Sequence, residues 1–352
     1  MAAKLTHLEV FRQSLSLMEH GDEIDHEISR MLHREEQFRY GCFGAVAPDI
    51  FYFYHLLNKT RNTTGITWGN ITHHRKVFEL VLTFLDRIKN DPANSEIRKK
   101  RQAFALGYIS HCATDIVTHP YIFYITGDLY STDEVRSRKA QENHLRVEYA
   151  LDSYLIAERL GMSPNKYHFL KFVDIRDKKK DMDFDIWQMW VHALSTVHEQ
   201  DFREHYIGNL EHIRKGDVLN EAFLGFLKFN RLLDTRSWLV RGFLRAVDNL
   251  TLHKWKARHL ILPPRHRIPE KMYNPHRRSW RYPADPEKHS NESFMELVHR
   301  AASFSRQLIR LSQDYIDGRK KRKDFEEFLG YNLDTGVRSE SLQMHAFEPL
   351  ED

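Results

Sequence analysis

The chain has 352 residues, 41% hydrophobic and 29% charged, enough for one large soluble domain or two ordinary ones. A formal charge of +4 is too small to argue by itself for a nucleic-acid partner. Two cysteines, Cys42 and Cys112, exclude a disulfide framework and a Cys-x-x-Cys zinc ribbon, whereas 22 histidines, mostly neutral near pH 7, are available to ligate metal.

The first segment, "MAAKLTHLEVFRQSLSLMEH", interrupts its apolar residues with Lys4, His7, Glu9 and Arg12 and lacks the apolar core of a signal peptide. No stretch approaches the ~20 apolar residues that span a bilayer. A cytoplasmic location is therefore expected. Apolar residues at 5, 8, 11, 15 and 18 predict a helix over Leu5–Met18 that carries His7. "FGAVAPDIFYFYH" then places Asp49 behind Pro48, at the edge of an aromatic run. Its Phe51, Phe53 and Tyr54 either pack the core or line a cleft. "ITHHRKVF" puts His73 and His74 at the start of a helix. Adjacent side chains diverge, so at most one of the two serves as a ligand.

"SEIRKKRQAFALGYISHCATDIVTH" opens on Ser95 as N-cap and is expected to end near His119, because the residue before Pro120 disfavours helical geometry. His111, Asp115 and His119 stand at i, i+4 and i+8, nearly on one face, among apolar neighbours. Helical periodicity returns over about 138–160, 184–206, 219–231, 234–252 and 292–316. The first of these repeats the ligand stripe with His144, Glu148 and Asp152. Sustained strand alternation is nowhere found. The reading is an all-α multi-helix bundle with long loops, one domain over 1–331 and a flexible tail over 332–352.

One such loop, 254–290, is basic and aromatic. Between Lys254 and Tyr282 it carries nine Lys and Arg residues against one acid, Glu270, with Trp255, Tyr273, Trp280 and Tyr282 among them. Either it wraps the bundle and packs its aromatics, or its cations meet phosphates on a lipid surface or nucleic acid while an aromatic such as Trp280 touches substrate.

Two facing helices with ligand stripes are a common way to build a metal site in a bundle. Imidazoles and carboxylates without thiolates suit zinc, with iron or manganese as competitors. The plainer alternative is a set of buried, hydrogen-bonded pairs. Burying so many ionisable groups without a cation would be costly. Two Glu-x-x-His patterns, ending at His26 and His299, raise the further option of a di-iron bundle.

The motifs "THLEVF", "GAVAPDIFYFYH", "THH", "GYISHCATDIVTHPYI" and "HLRVEYALDSYL", in this order over about 5–155, resemble the zinc-dependent phospholipase C family, whose fold is shared with fungal single-strand nucleases. The resemblance implies two or three zinc ions at the bottom of a cleft. By motif, Asp49, one of His73 and His74, His111 and Asp115 would hold one ion. His119, His144 and Glu148 would hold a second. His7 with a bridging Asp115 would hold a third. Asp49 would orient the attacking hydroxide or act as base. Asp152 lies outside the core motif and is expected to orient a ligand histidine. The implied reaction is attack of metal-bound hydroxide on the phosphorus of a phospholipid or related phosphodiester. A nuclease on the same fold and a metal-binding structural or interaction protein are the alternatives. The chain departs from secreted members in beginning "MAAKLTH" rather than with a metal-ligating tryptophan, and in spacing His119 only four residues after Asp115.

Overall fold

The computed structural model describes residues 4–56, 58–92, 95–234, 236–251 and 260–350. Helix α1 (Lys4–Met18) forms where the apolar spacing predicts it, followed by α2 (Glu23–Leu32) and α3 (Glu35–Gly44). A 3-10 helix over Pro48–Phe53 leads to α4 (Lys59–His74) and α5 (Val77–Asn90). Two long helices, α6 (Glu96–Thr126) and α7 (Glu134–Leu160), carry the two ligand stripes. The chain continues through α8 (Leu170–Val173), α9 (Phe184–Val197), α10 (Glu199–His205), α11 (Val218–Leu232), α12 (Trp238–Leu250) and α13 (Glu270–Tyr273). A two-stranded antiparallel ribbon, β1 (Trp280–Tyr282) with β2 (Asp285–Ser290), precedes the last long helix, α14 (Phe294–Ile316). Helix dominates, and the fold is all-α.

Helix α6 is the axis of the molecule. Every residue from Ala103 to Thr126 is buried, the signature of a helix packed on all sides. It lies against α3 and α14, with α1, α5 and α7 completing the surround. The approach to α3 is close enough to require glycine. A Cβ on Gly107 would sit 2.0 Å from the Gly41 carbonyl oxygen, and one on Gly44 would sit 2.2 Å from the Phe104 carbonyl oxygen.

Ser95 caps α6 as expected, accepting from the Arg98 amide. Pro120 does not end it; the helix runs on to Thr126. A proline inside a helix costs about 3 kcal/mol. Beyond it, Tyr121, Ile122, Phe123, Tyr124 and Ile125 are all buried. Each such burial contributes roughly 1.5–3 kcal/mol, so their sum outweighs the lost bond. Gly336 of the C-terminal segment packs at this place: a Cβ there would lie 2.6 Å from the Ile116 carbonyl oxygen and 2.7 Å from the Pro120 ring.

Three further expectations change. His73 and His74 end a helix rather than start one, because Arg75 turns extended and Lys76 adopts a left-handed φ of 50° before α5 begins. The segment 184–206 breaks at His198 into α9 and α10. Among its described residues, the segment expected as a loose tail has no helix or strand after Phe325, yet Leu333, Met344 and Ala346 are buried in it and Leu333 donates its amide to the His73 carbonyl at 2.9 Å.

In the basic loop, Lys254, Trp255, Lys256 and Arg258 lie outside the described residues. Tyr273, Trp280 and Tyr282 are buried, and the Trp280 indole donates to the Glu292 carbonyl at 3.2 Å and packs on Tyr121. These three aromatics pack against the bundle. Both cysteines are buried and free, and burial pushes the Cys42 thiol up to about 12.

Candidate metal centre

Five elements converge on one point. α1 supplies His7, and the Pro48–Phe53 turn supplies Asp49. The last turn of α4 supplies His73, α6 supplies His111, Asp115 and His119, and α7 supplies His144 and Glu148. All eight side chains are buried. Their ligand atoms form three groups that can each hold an ion: His7, His111 and Asp115; Asp49, His73 and His111; His119, His144 and Glu148.

Asp115 stands between them. Its Oδ1 is 3.3 Å from His7 Nε2 and 3.4 Å from His119 Nε2, while its Oδ2 is 2.9 Å from His111 Nε2 and 3.9 Å from His73 Nε2. Asp49 Oδ1 lies 3.3 Å from His73 Nε2, and His144 Nε2 lies 3.0 Å from Glu148 Oε1. The His7 and His111 rings stack at 4.1 Å.

Three of the imidazoles are oriented by the backbone. Nδ1 of His73 pairs with the Gly69 carbonyl at 2.7 Å, that of His111 with the Ala45 carbonyl at 3.0 Å, and that of His119 with the Leu333 carbonyl at 3.0 Å. A ring that donates through Nδ1 presents the Nε2 lone pair, and each Nε2 here faces a carboxylate of the centre. That is how a metal-ligating histidine is usually held.

The carboxylates of the centre lack donors. Both oxygens of Asp115, both of Glu148 and Oδ2 of Asp49 are buried with no hydrogen-bond donor, and so is His111 Nε2. A buried carboxylate without donors costs several kcal/mol, and a divalent ion is the compensation that fits an all-nitrogen-and-oxygen ligand set. Burial and neighbouring charges set the protonation of the centre. Burial favours the neutral form of Asp49, but His111 and His73 outweigh it and hold the carboxyl below its usual range. Burial depresses His7 to about 3, helped by His111, so its ring is neutral and ready to ligate. Burial opposes charge on His119 as well, but Asp115 and Asp334 outweigh it and raise the ring to about 10. Ions bound beside these carboxylates would displace that proton.

The remaining expected residues fall elsewhere. His74 points away from His73 and pairs through Nε2 with Asp334 Oδ2 at 2.8 Å. Asp152 touches no histidine. It accepts the amides of Leu5 and Thr6 at 3.1 and 2.8 Å and the Thr6 hydroxyl at 2.9 Å, and so anchors the start of α1, two residues before His7. Phe51 is fully buried against Trp68 and Trp190, and Tyr54 is buried beside Gly65; neither lines the cavity at the centre. Trp280 lines a different cavity, with Tyr121 and Tyr124. His26 and His299 are exposed on separate helices, so the Glu-x-x-His patterns build no centre.

The cavity that opens on these side chains has a volume of about 540 Å³. Asp49, His73, His119, His144 and Glu148 form part of its wall, joined by Tyr52, Tyr130 and the apolar Leu56, Ile66 and Phe123.

Asp334 is the residue that sequence reasoning missed. It accepts from His74 and from the Tyr130 hydroxyl, and its Oδ1 lies 3.4 Å from His119 Nδ1. Its sole local signal is the turn "YNLDTG", whose Asn332 side chain accepts the Asp334 and Thr335 amides. Asp334→Ala is expected to lower zinc affinity about 10–100-fold, the usual cost of losing a partner behind a ligating histidine, with helical content unchanged. A competitive zinc titration measures it, and unaltered affinity would refute the role.

Residues 6–200 match the family model described as zinc dependent phospholipase C. No curated protein and no solved structure matches the chain.

Proposed function

The chain belongs to the zinc dependent phospholipase C family, and from that premise we propose that it is a metal-dependent phosphodiester hydrolase acting on a phospholipid or a related phosphodiester. The observation that carries this reading is the set of buried, donorless carboxylate oxygens on Asp115, Glu148 and Asp49, surrounded by backbone-oriented imidazoles and opening on a cavity.

The ion ligands would be His7, Asp49, His73, His111 and Asp115 on one side of the centre and His119, His144 and Glu148 on the other, with Asp115 shared. Two or three zinc ions held there would supply Lewis acidity, which lowers the pKa of a water and offsets charge on phosphoryl oxygens. Asp49, ionised and at the cavity wall, orients the attacking water and accepts its proton. The apolar wall formed by Leu56, Ile66 and Phe123 shields the reacting phosphoryl group from bulk water and packs the substituent next to it. Tyr52 and Tyr130 remain protonated, because burial and then Asp334 raise both phenols; the Tyr130 hydroxyl donates to Asp334 and the Tyr52 hydroxyl to the Asn70 side chain. The catalytic unit then reaches beyond residue 331 to Asp334. Among the described residues no helix is long and apolar enough to cross a membrane.

Two measurements test the reading: elemental mass spectrometry of protein purified without added metal, and hydrolysis of a soluble chromogenic aryl phosphodiester. Two or three zinc ions per chain are expected, with turnover lost on chelation and restored by zinc. Protein that carries no zinc and takes none up on dialysis overturns it.

A further inference from the structure

Helix α12 (Trp238–Leu250) faces the wrong way for a bundle helix. Leu239, Phe243, Ala246 and Leu250 recur at three- and four-residue spacing and so share one face. That face is turned to solvent: Leu239 is 62% exposed, Phe243 66% and Leu250 84%, with Trp238 at its edge 72% exposed. The inward side carries Leu244 and the helix's one acid, Asp248, both buried. The exposed part of α12 is therefore apolar and cationic. A contiguous apolar face of this kind marks a contact surface.

The cations are gathered beside it. Arg241 and Arg245 line a cavity of about 700 Å³ together with Arg146 of α7 and Arg267, with Leu262 and Met272 among its apolar walls. Arg146 lies about 200° around α7 from both His144 and Glu148, so this cavity is on the other side of that helix from the metal centre.

We propose that the exposed face of α12 and the arginine-lined cavity beside it form the surface by which the protein docks on an anionic phospholipid bilayer. Leu239, Phe243 and Leu250 enter the boundary between head groups and acyl chains, and the guanidinium groups take lipid phosphates. Apolar insertion beside basic residues is the pattern of an interfacial helix. The choice of lipid as occupant rests on the phospholipid-directed reading above. Charge complementarity favours it over a second copy of the chain: a two-fold contact through this face would bring both copies of Arg241 and Arg245 into one interface. An anionic bilayer complements both the apolar stripe and the cations.

The test is co-sedimentation with vesicles of phosphatidylcholine alone and of phosphatidylcholine with about one third phosphatidylglycerol, at low and high salt. Binding to the anionic vesicles, weakened by salt, is expected for the intact protein. Phe243→Asp combined with Leu250→Asp abolishes it, and Arg245→Ala weakens it about fivefold, the share of one cation at an anionic surface. These side chains are exposed, so circular dichroism, zinc content and hydrolysis of the soluble phosphodiester stay unchanged in the variants. Those readouts report on the metal centre alone, so vesicle binding without any hydrolysis sinks the hydrolase reading and retains the docking surface. Absence of vesicle binding by the intact protein overturns the proposal. So does a dimer, seen by sedimentation velocity, that dissociates on Phe243→Asp without any vesicle binding.

Discussion

Asp115→Asn is expected to strip more than one metal position at once and to lower phosphodiester turnover by more than about 100-fold, beyond the usual cost of a change outside the ligand set. The two Asp115 oxygens face different imidazoles, Oδ1 toward His7 and His119 and Oδ2 toward His111 and His73. An amide keeps the shape but replaces one ligand oxygen with an NH₂ that cannot coordinate, and it removes the negative charge that offsets the ions. The fold should survive, because the buried carboxylate has no hydrogen-bond donors to lose. Zinc content by elemental mass spectrometry, beside circular dichroism, separates the outcomes. A variant that keeps its full zinc complement would show that Asp115 does not bridge. Glu148→Gln is the comparison: its group contains His119 and His144 alone besides itself. It should cost one ion where Asp115→Asn costs at least two.

Gly107→Val should prevent the protein from folding, or cost more than about 4 kcal/mol where it folds. The contact it destroys is between two backbones, so no rotamer change can relieve it. The nearest atom to an added Cβ is the Gly41 carbonyl oxygen at 2.0 Å, with the Ala45 amide nitrogen at 3.0 Å. Separating α3 from α6 by even one ångström would forfeit the dispersion contacts between them. The same separation would also damage the centre. His111, one turn beyond Gly107, spends its Nδ1 on the Ala45 carbonyl just after α3, and Asp49 follows four residues later. Soluble expression and chemical denaturation measure the effect. Gly161→Ala serves as control, since nothing lies within 4 Å of an added Cβ there and the cost is confined to its left-handed φ of 58°.

Spacing along the chain by itself determined the helices and the ligand stripes. His111, Asp115 and His119 must share a face wherever a helix spans them, and so must His144 and Glu148. That requirement is local geometry, independent of what packs around it. His7 and Asp49 were legible through the motifs they sit in, although nothing local says that α1 and the Pro48–Phe53 turn end up beside α6. Residue order was silent where two distant segments meet. His73, and not its neighbour His74, faces the centre because of the left-handed turn at Lys76 and the Gly69 carbonyl behind its ring. Asp152 became an anchor for the start of α1 because folding places the two helices side by side. Phe51 went into the core, since the Pro48–Phe53 turn points it at Trp68 and Trp190. Helix α6 passed through Pro120 because five buried side chains beyond it outweigh one missing hydrogen bond. Asp334 lies 215 positions from His119, in a segment without periodicity, and only the closing of that segment over α6 brings them together. Periodic patterns report which face of an element is buried. The partner across the contact is decided by how the faces pack.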